Sequence, residues 1–286
     1  MKQNRNVYVV VGATASGKSD FAVELALKLN GEIISADSRQ VYKGLDIGTG
    51  KITKEEMKGV PHHMLSVYEI GEEVSVARFA RDANPIIEDI FSRGKTPIIC
   101  GGTGQYIDAL IFDSVLPQVS PNEELRKEFE TKTTTALFEE LSTLDPERAK
   151  NIDSHNRVRL IRALEIVATT GKVPTLSTPE LLYDTTIYLL KPARDVLRVR
   201  ITKRLEKRLA LGMVDEVKNL MSKGFESKDM KKFGLEYVTL GRYIEGLLSE
   251  EEMKEELITK SMQYAKRQET WNKKYEKYED ISTIIT

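Results

Sequence analysis

Apolar residues in this chain alternate between two spacings, and the alternation predicts an architecture. Val7 to Val11 is an apolar, β-branched run of the kind carried by a strand buried on both faces, broken only by Tyr8, and Asp20 to Leu29 then places Phe21, Leu25 and Leu29 on one side of a helix. Gly31 breaks that helix, and Glu32-Ile33-Ile34-Ser35 reads as a second short strand. Val76 to Ser92 carries Val76, Phe79, Ala80, Ala83, Ile86, Ile87 and Ile90 at helical spacing and stops at Arg93-Gly94-Lys95, which predicts a crossover helix. Pro97 to Cys100 predicts another parallel strand, followed by a helix through Ile111. Between these elements Gly44 to His63 has little periodicity, so Gly48-Thr49-Gly50-Lys51 and Pro61-His62-His63 read as loop.

From Asp113 to about Asp184 the strand runs stop and helix signals take over. Ser120-Pro121-Asn122-Glu123 reads as a capping box with Pro at the first helical position, and Asp145-Pro146 starts a second helix in the same way. Asn156 to Thr169 follows, with Leu160, Leu164 and Val167 on one side, Arg159 and Arg162 at i, i+3, and a stop at Gly171. Thr185-Ile187-Leu189 restores a strand, and Arg194 to Leu211 is an amphipathic helix with Leu197, Ile201, Leu205 and Leu209 as its stripe. Ser249-Glu250-Glu251-Glu252 is another capping box, opening a long helix through Trp271.

The junction between the first strand and first helix carries candidate chemistry. Gly12-Ala13-Thr14-Ala15-Ser16-Gly17-Lys18-Ser19 fits the phosphate-loop pattern of ATP- and other nucleotide-binding proteins at every constrained position, in the strand-loop-helix context that pattern requires. Such a loop turns backbone N–H groups inward at a helix N-terminus, with Lys18 as a point charge on phosphate and Ser19 as a hydroxyl ligand for Mg²⁺. The expected fold is therefore α/β: a P-loop core with a parallel sheet flanked by helices, formed by residues 1–112 and 185–286, plus a helical insertion at 113–184.

Asp37 follows the second strand, at the sheet edge where open α/β folds bind ligands; capping a turn is the bland alternative for it. The third strand ends in Gly101-Gly102-Thr103, where many P-loop ATPases place an acidic Mg²⁺ ligand, and this weakens an ATPase reading. His62 and His63 have no further ligand at metal-binding spacing, so a structural or substrate-lining role is expected. Arg200, Arg204 and Arg208 recur at i, i+4 along the border of the buried face, where ordinary solvated arginines would read the same. Lys266 and Arg267 stand among Tyr264 and Trp271, a mixture suited to RNA.

Composition narrows little. The 286 residues suffice for one large or two modest domains, and a formal net charge of −1 requires any nucleic-acid partner to be held by local basic patches. Cys100, the single cysteine, lies inside an apolar run and reads as a small buried hydrophobe. No run approaches the roughly 18 apolar residues of a membrane span, and Met1 to Asn6 lacks a signal-peptide pattern, so a cytoplasmic protein is expected.

Taken in order, GATASGKS, ISADSRQVYKGLDIGTGK, GVPHHML, IICGGTGQY, NRVRLIRALEI, the arginine helix and YAKRQETW resemble the tRNA dimethylallyltransferases, or isopentenyl-tRNA transferases, over nearly the whole chain. The resemblance implies transfer of a dimethylallyl group from its diphosphate to N6 of an adenosine beside the tRNA anticodon, with Mg²⁺ as cofactor, the anticodon stem-loop as partner, no membrane, and a monomer. It implies that Asp37 is the general base and Thr103 a substrate contact. It implies diphosphate ligands in Gly12, Ala13, Thr14, Ala15, Ser16, Gly17, Lys18, Ser19, Arg200 and Arg204. It also implies tRNA contacts from Asp37, Ser38, Arg39, Gln40 and Thr103, from Val158, Arg159, Leu160, Ile161 and Arg162, and from Gln263, Tyr264, Ala265, Lys266, Arg267 and Gln268.

Phe233-Gly234-Leu235-Glu236-Tyr237 departs from the family's usual stretch, as do Glu269 and Asn272 in the closing motif. The chain ends soon after its last helix, without the zinc finger of eukaryotic members, so a bacterial type is the expectation. From the residues alone, a small-molecule kinase, a prenyltransferase acting on free adenine nucleotides, and an RNA-binding nucleotide switch without chemistry remain alternatives.

Overall fold

The structure, a computed structural model, describes residues 5–113, 119, 122–174, 180–277 and 281–284. Its elements are β1 (Asn6–Gly12), α1 (Lys18–Leu29), β2 (Gly31–Ser35), β3 (His62–His63), α2 (Val76–Ser92), β4 (Thr96–Cys100) and α3 (Gly104–Ile111). Four helices follow: α4 (Glu123–Thr131), α5 (Thr134–Leu144), α6 (Pro146–Lys150) and α7 (Arg157–Thr170). The chain continues through β5 (Asp184–Leu190), α8 (Arg194–Ala210), α9 (Met213–Ser222), a 3₁₀ turn at Ser227–Lys232, α10 (Leu235–Ile244), α11 (Glu250–Asn272), a second 3₁₀ turn at Lys273–Lys277 and β6 (Ile281–Ile284).

Among the described residues six strands form one parallel sheet in the order β3-β2-β4-β1-β5-β6. β1 lies inside the sheet, with Val9 opposite Ile99 on one side and Ile187 on the other, and its four valines, Val7, Val9, Val10 and Val11, are fully buried. α1 packs Ala22, Val23 and Ala26 against Val10, Ile33 and Ile98 of the sheet. A second core joins α8 to α11 through Leu205, Met213, Val217, Tyr237, Leu240 and Leu257. A small third cluster, Ala13 with Leu197, Ile201 and Ala265, seats the loop after β1 on α8 and α11.

The chain divides into two compact units, Met1–Ile111 with Leu181–Thr286, and Phe112–Glu180. The second is helical, built around Phe129, Leu137, Leu141, Leu160, Leu164 and Val167. Inside it the fully buried carboxylate of Glu165 accepts from the Asn122 backbone amide at 2.9 Å and pairs with Arg126 and Arg162. Burial pushes that carboxyl up, but Arg126, the Asn122 amide and Arg162 together hold it below its ordinary value.

Two local readings change. Pro61-His62-His63 is not wholly loop: His62 and His63 form an edge strand beside Ile33 and Ile34 of β2. Two residues are too few to show a period, and what fixes them is the polar anchoring of their rings, His62 Nδ1 at 2.8 Å from the Val60 carbonyl and His63 Nε2 at 2.8 Å from Glu32. The helix expected from Ser120 is capped instead by Asn122, whose side chain accepts from the amides of Glu124 and Leu125; Ser120 and Pro121 lie outside the described residues. The caps at Asp145, Asn156 and Ser249 stand as read, the last as a complete capping box.

Candidate active site

β1 ends at Gly12, and the chain turns into α1 through Ala15 and Gly17, whose φ angles of 61° and 91° are left-handed. Gly17 caps α1 without any side-chain bond, so the first-turn amides keep their positive end directed at the turn. Lys18 folds back to donate from Nζ to the Ala13 carbonyl at 2.7 Å. Burial, reinforced by nearby Arg204, pushes its ammonium down to about 8.

Successive turns of α8 bring Arg200 and Arg204 to this loop and Arg208 to the loop around Gly48. Arg200 Nη1 lies 3.4 Å from the Ser16 carbonyl, Arg204 Nη2 donates to Thr14 Oγ1 at 2.6 Å, and Arg208 Nη1 lies 3.4 Å from the Gly48 carbonyl. Arg208 is 9% exposed and Arg204 is half-buried, so neither is an ordinary solvated arginine. Burial, with Arg208 beside it, pushes the Arg204 guanidinium below its usual range. Glu236, 3.9 Å from Arg208, is the nearby counter-charge, and burial raises its carboxyl despite that pairing.

At the carboxyl end of β2, Asp37 Oδ1 accepts from the amides of Arg39 at 2.8 Å and Gln40 at 3.3 Å, a local turn that fixes the carboxylate. Among the described residues its Oδ2 has no hydrogen-bond partner. Thr103 Oγ1 accepts from the Ser38 amide at 2.9 Å, tying the end of β4 to the same turn. A Cβ on Gly101 would lie 2.1 Å from the Ala36 carbonyl oxygen, so only glycine permits this approach. α11 closes the arrangement: Gln268 Oε1 accepts from the Thr14 amide at 2.7 Å while Nε2 donates to the Gly102 carbonyl at 3.0 Å.

Two cavities meet here. The first, about 690 Å³, is lined by Thr14 to Ser19, Cys100, Arg200, His62 and Gly50. The second, about 440 Å³, is lined by Thr103, Gln105, Lys231, Phe233, Arg267 and Trp271. Thr14, Asp37, Arg204 and Gln268 belong to both walls. A loop of phosphate-binding pattern thus faces one side of a carboxylate, and an aromatic, basic pocket faces the other.

The chain is similar to known proteins along most of its length. The family model described as IPP transferase matches residues 40–275. A tRNA dimethylallyltransferase of Anoxybacillus flavithermus is 42% identical over 270 residues, covering 93% of this chain and 86% of that protein. The chain belongs to the IPP transferase family. A solved tRNA isopentenylpyrophosphate transferase of Bacillus halodurans superposes with a TM-score of 0.71 at 38% identity, covering 99% of this chain and 90% of the other. A eukaryotic dimethylallyltransferase crystallised acting on tRNA gives 0.85 at 29% identity, over 98% of this chain and 74% of the other.

In this transferase the expected residues separate by position. Ala15 to Ser19, Arg200 and Gln40 face the first cavity, Ser38, Arg39 and Thr103 the second, Thr14 both, and Gly12 and Ala13 are buried behind the loop. Of the late run on α11, Tyr264 and Gln268 line both cavities and Arg267 the second, Gln263 and Lys266 are exposed, and Ala265 is buried beneath the loop. In the helical unit Val158 and Arg159 are exposed, Ile161 and Arg162 half-buried and Leu160 buried. Consecutive helical residues point around the full circumference, so no such run can present every side chain to one partner.

Arg208, Thr49, Gly50 and Glu236 also line these walls without having been singled out as site residues. Arg208 carried a signal, one more i, i+4 step beyond Arg204; the others become neighbours only through the fold. No helix among the described residues is long and apolar enough to cross a membrane, and none of their acidic, His or Cys side chains cluster as a ready-made metal site.

Proposed function

We propose that this chain transfers the dimethylallyl group of dimethylallyl diphosphate to N6 of the adenosine beside a tRNA anticodon, giving N6-isopentenyladenosine and diphosphate. What carries this reading is the placement of Asp37 on the shared wall of a phosphate-loop cavity and an aromatic, basic one. The diphosphate takes the first cavity, held by the loop amides, Lys18, Arg200 and Arg204. The adenine, drawn out of its stack, takes the second, beside Tyr264 and Trp271.

Adenine N6 is a weak nucleophile because its lone pair is delocalised into the ring. As it attacks C1 of the prenyl group, its proton passes to Asp37, and the breaking C–O bond leaves its electron pair on diphosphate. Lys18, Arg204 and the α1 amides face that developing charge inside a low-dielectric cavity. Thr103, bonded to the Ser38 amide, holds the turn that aims Asp37.

Mg²⁺ fits this site as a ligand of the substrate more than of the protein. Ser19 is exposed at the start of α1, and among the described residues no cluster of three acidic, His or Cys side chains stands ready to hold a metal, which suits an ion held mainly by phosphate oxygens and water. When bound it would neutralise charge on the leaving diphosphate. Exposed Val158, Arg159, Gln263 and Lys266, with Arg39 and Arg267, would grip RNA through phosphate pairing and stacking.

The test is incubation of the purified protein with unmodified tRNA, Mg²⁺ and dimethylallyl diphosphate, then nucleoside mass analysis, with an ATP-only control. One prenyl mass on adenosine is expected, and Asp37→Ala should abolish it while leaving tRNA affinity nearly intact. ATP consumption with no prenylated nucleoside would return the site to a kinase.

A further inference from the structure

The loop from Leu45 to Lys51 forms part of the first cavity's wall through Thr49 and Gly50, yet it has no regular secondary structure to hold it. It is held from behind by one carboxylate. Glu216 Oε2 accepts from the backbone amides of Asp46 at 3.0 Å and Ile47 at 2.7 Å, while Oε1 accepts from the Gly48 amide at 2.9 Å and the Tyr237 hydroxyl at 2.7 Å. Three successive N–H groups turned onto one anion make the geometry by which backbones capture phosphate, here filled by the protein's own side chain.

On the cavity side the same loop meets the catalytic turn. Gln40 Nε2 donates toward the carbonyls of Thr49 at 3.3 Å and Gly50 at 3.2 Å, and the Gln40 amide donates to Asp37 Oδ1 at 3.3 Å. Arg208 lies against the loop as closely: a Cβ on Gly50 would stand 1.5 Å from its Nη2, and one on Gly48 would strike the Tyr237 ring at 2.6 Å. α8 and α9 follow each other across Leu211 and Gly212 and share one core, so Arg204 and Arg208 lie on the helix just before the one that carries Glu216.

We infer that Glu216 is a positioning residue for the transfer reaction: by clasping the Asp46–Gly48 amides it fixes the Thr49–Gly50 wall and, through Gln40, the aim of Asp37. The inference rests on the function proposed above, but the clasp itself can be read without turnover. Glu216→Gln is the discriminating change. It keeps size and one acceptor oxygen, yet turns an NH₂ group toward at least one backbone donor.

Hydrogen exchange across residues 44–51 should accelerate in Glu216→Gln at a temperature where parent and variant are both folded. With dimethylallyl diphosphate and tRNA, kcat should fall about 10- to 100-fold with KM for tRNA little changed, since outer groups that orient a site cost that much when lost. Tyr237→Phe, which leaves all three amides clasped, should lose only about 2- to 5-fold by the same reasoning. Unchanged exchange in Glu216→Gln would overturn the clasp. Faster exchange with unaltered kcat would overturn its positioning role. An inactive parent enzyme would instead strike at the proposed reaction, with the exchange result still standing.

Discussion

Gln268 and Thr14, 254 positions apart in the chain, share a hydrogen bond of 2.7 Å that makes the last long helix part of the phosphate loop. The other end of the same amide holds the Gly102 carbonyl at the tip of β4. Gln268→Ala should therefore raise KM for dimethylallyl diphosphate about tenfold, the worth of one or two lost hydrogen bonds, with a smaller effect on tRNA. Gln268→Glu should be worse, because it places a carboxylate where an anion must bind. Steady-state KM values for the two substrates give the ranking.

Arg204 offers a test of charge against shape. Its alanine variant should lower kcat by about 100-fold or more, as removal of a preorganised donor facing developing negative charge does. Arg204→Lys should recover only part of this, since an ammonium restores the charge and not the planar fork that reaches Thr14. Single-turnover rates at saturating tRNA separate this loss from weakened binding.

The lowered Lys18 ammonium sets a pH dependence. With its value near 8, the protonated form, which would attract the diphosphate of the proposed substrate, predominates below that pH and is lost as pH rises through it. Affinity for dimethylallyl diphosphate should fall across pH 8 to 9, and Lys18→Arg should flatten the fall. Equilibrium binding at fixed ionic strength provides the measurement.

Glu32 tests stability away from the reaction. Hydrogen bonds from Arg93 hold its buried carboxyl well below the carboxylate range, with Lys95 and His63 adding to them. Because the folded value is depressed, this contribution is complete above the unfolded value of about 4.5 and is lost as pH falls below it. Glu32→Ala should cost about 2–4 kcal/mol at neutral pH, and the gap from the parent in thermal melts should shrink below about pH 4.5.

Much of the core was legible because its signals are local. The continuous runs at Val7 to Val11 and Pro97 to Cys100 belong to strands buried on both faces, and a covered face leaves its mark in every residue. Caps at Asp145, Asn156 and Ser249 act within four residues of themselves. What could not be read was set by distant partners. β3 pairs with β2 and is anchored there by the bond between His63 and Glu32, α9 and α10 pack around Tyr237, and β6 takes its place beside β5. In the site, Asp37 and the loop announced themselves by motif, whereas Glu216 is an unremarkable acid in a helical first turn until the fold delivers three amides to it.

The meeting of two cavities at Asp37 also divides the products of the proposed reaction. The diphosphate would end beside the loop and arginines of the first cavity and the prenylated nucleoside in the second. Added diphosphate should then compete with dimethylallyl diphosphate, whereas prenylated tRNA, whose prenyl group fills the donor's place, should compete with both substrates.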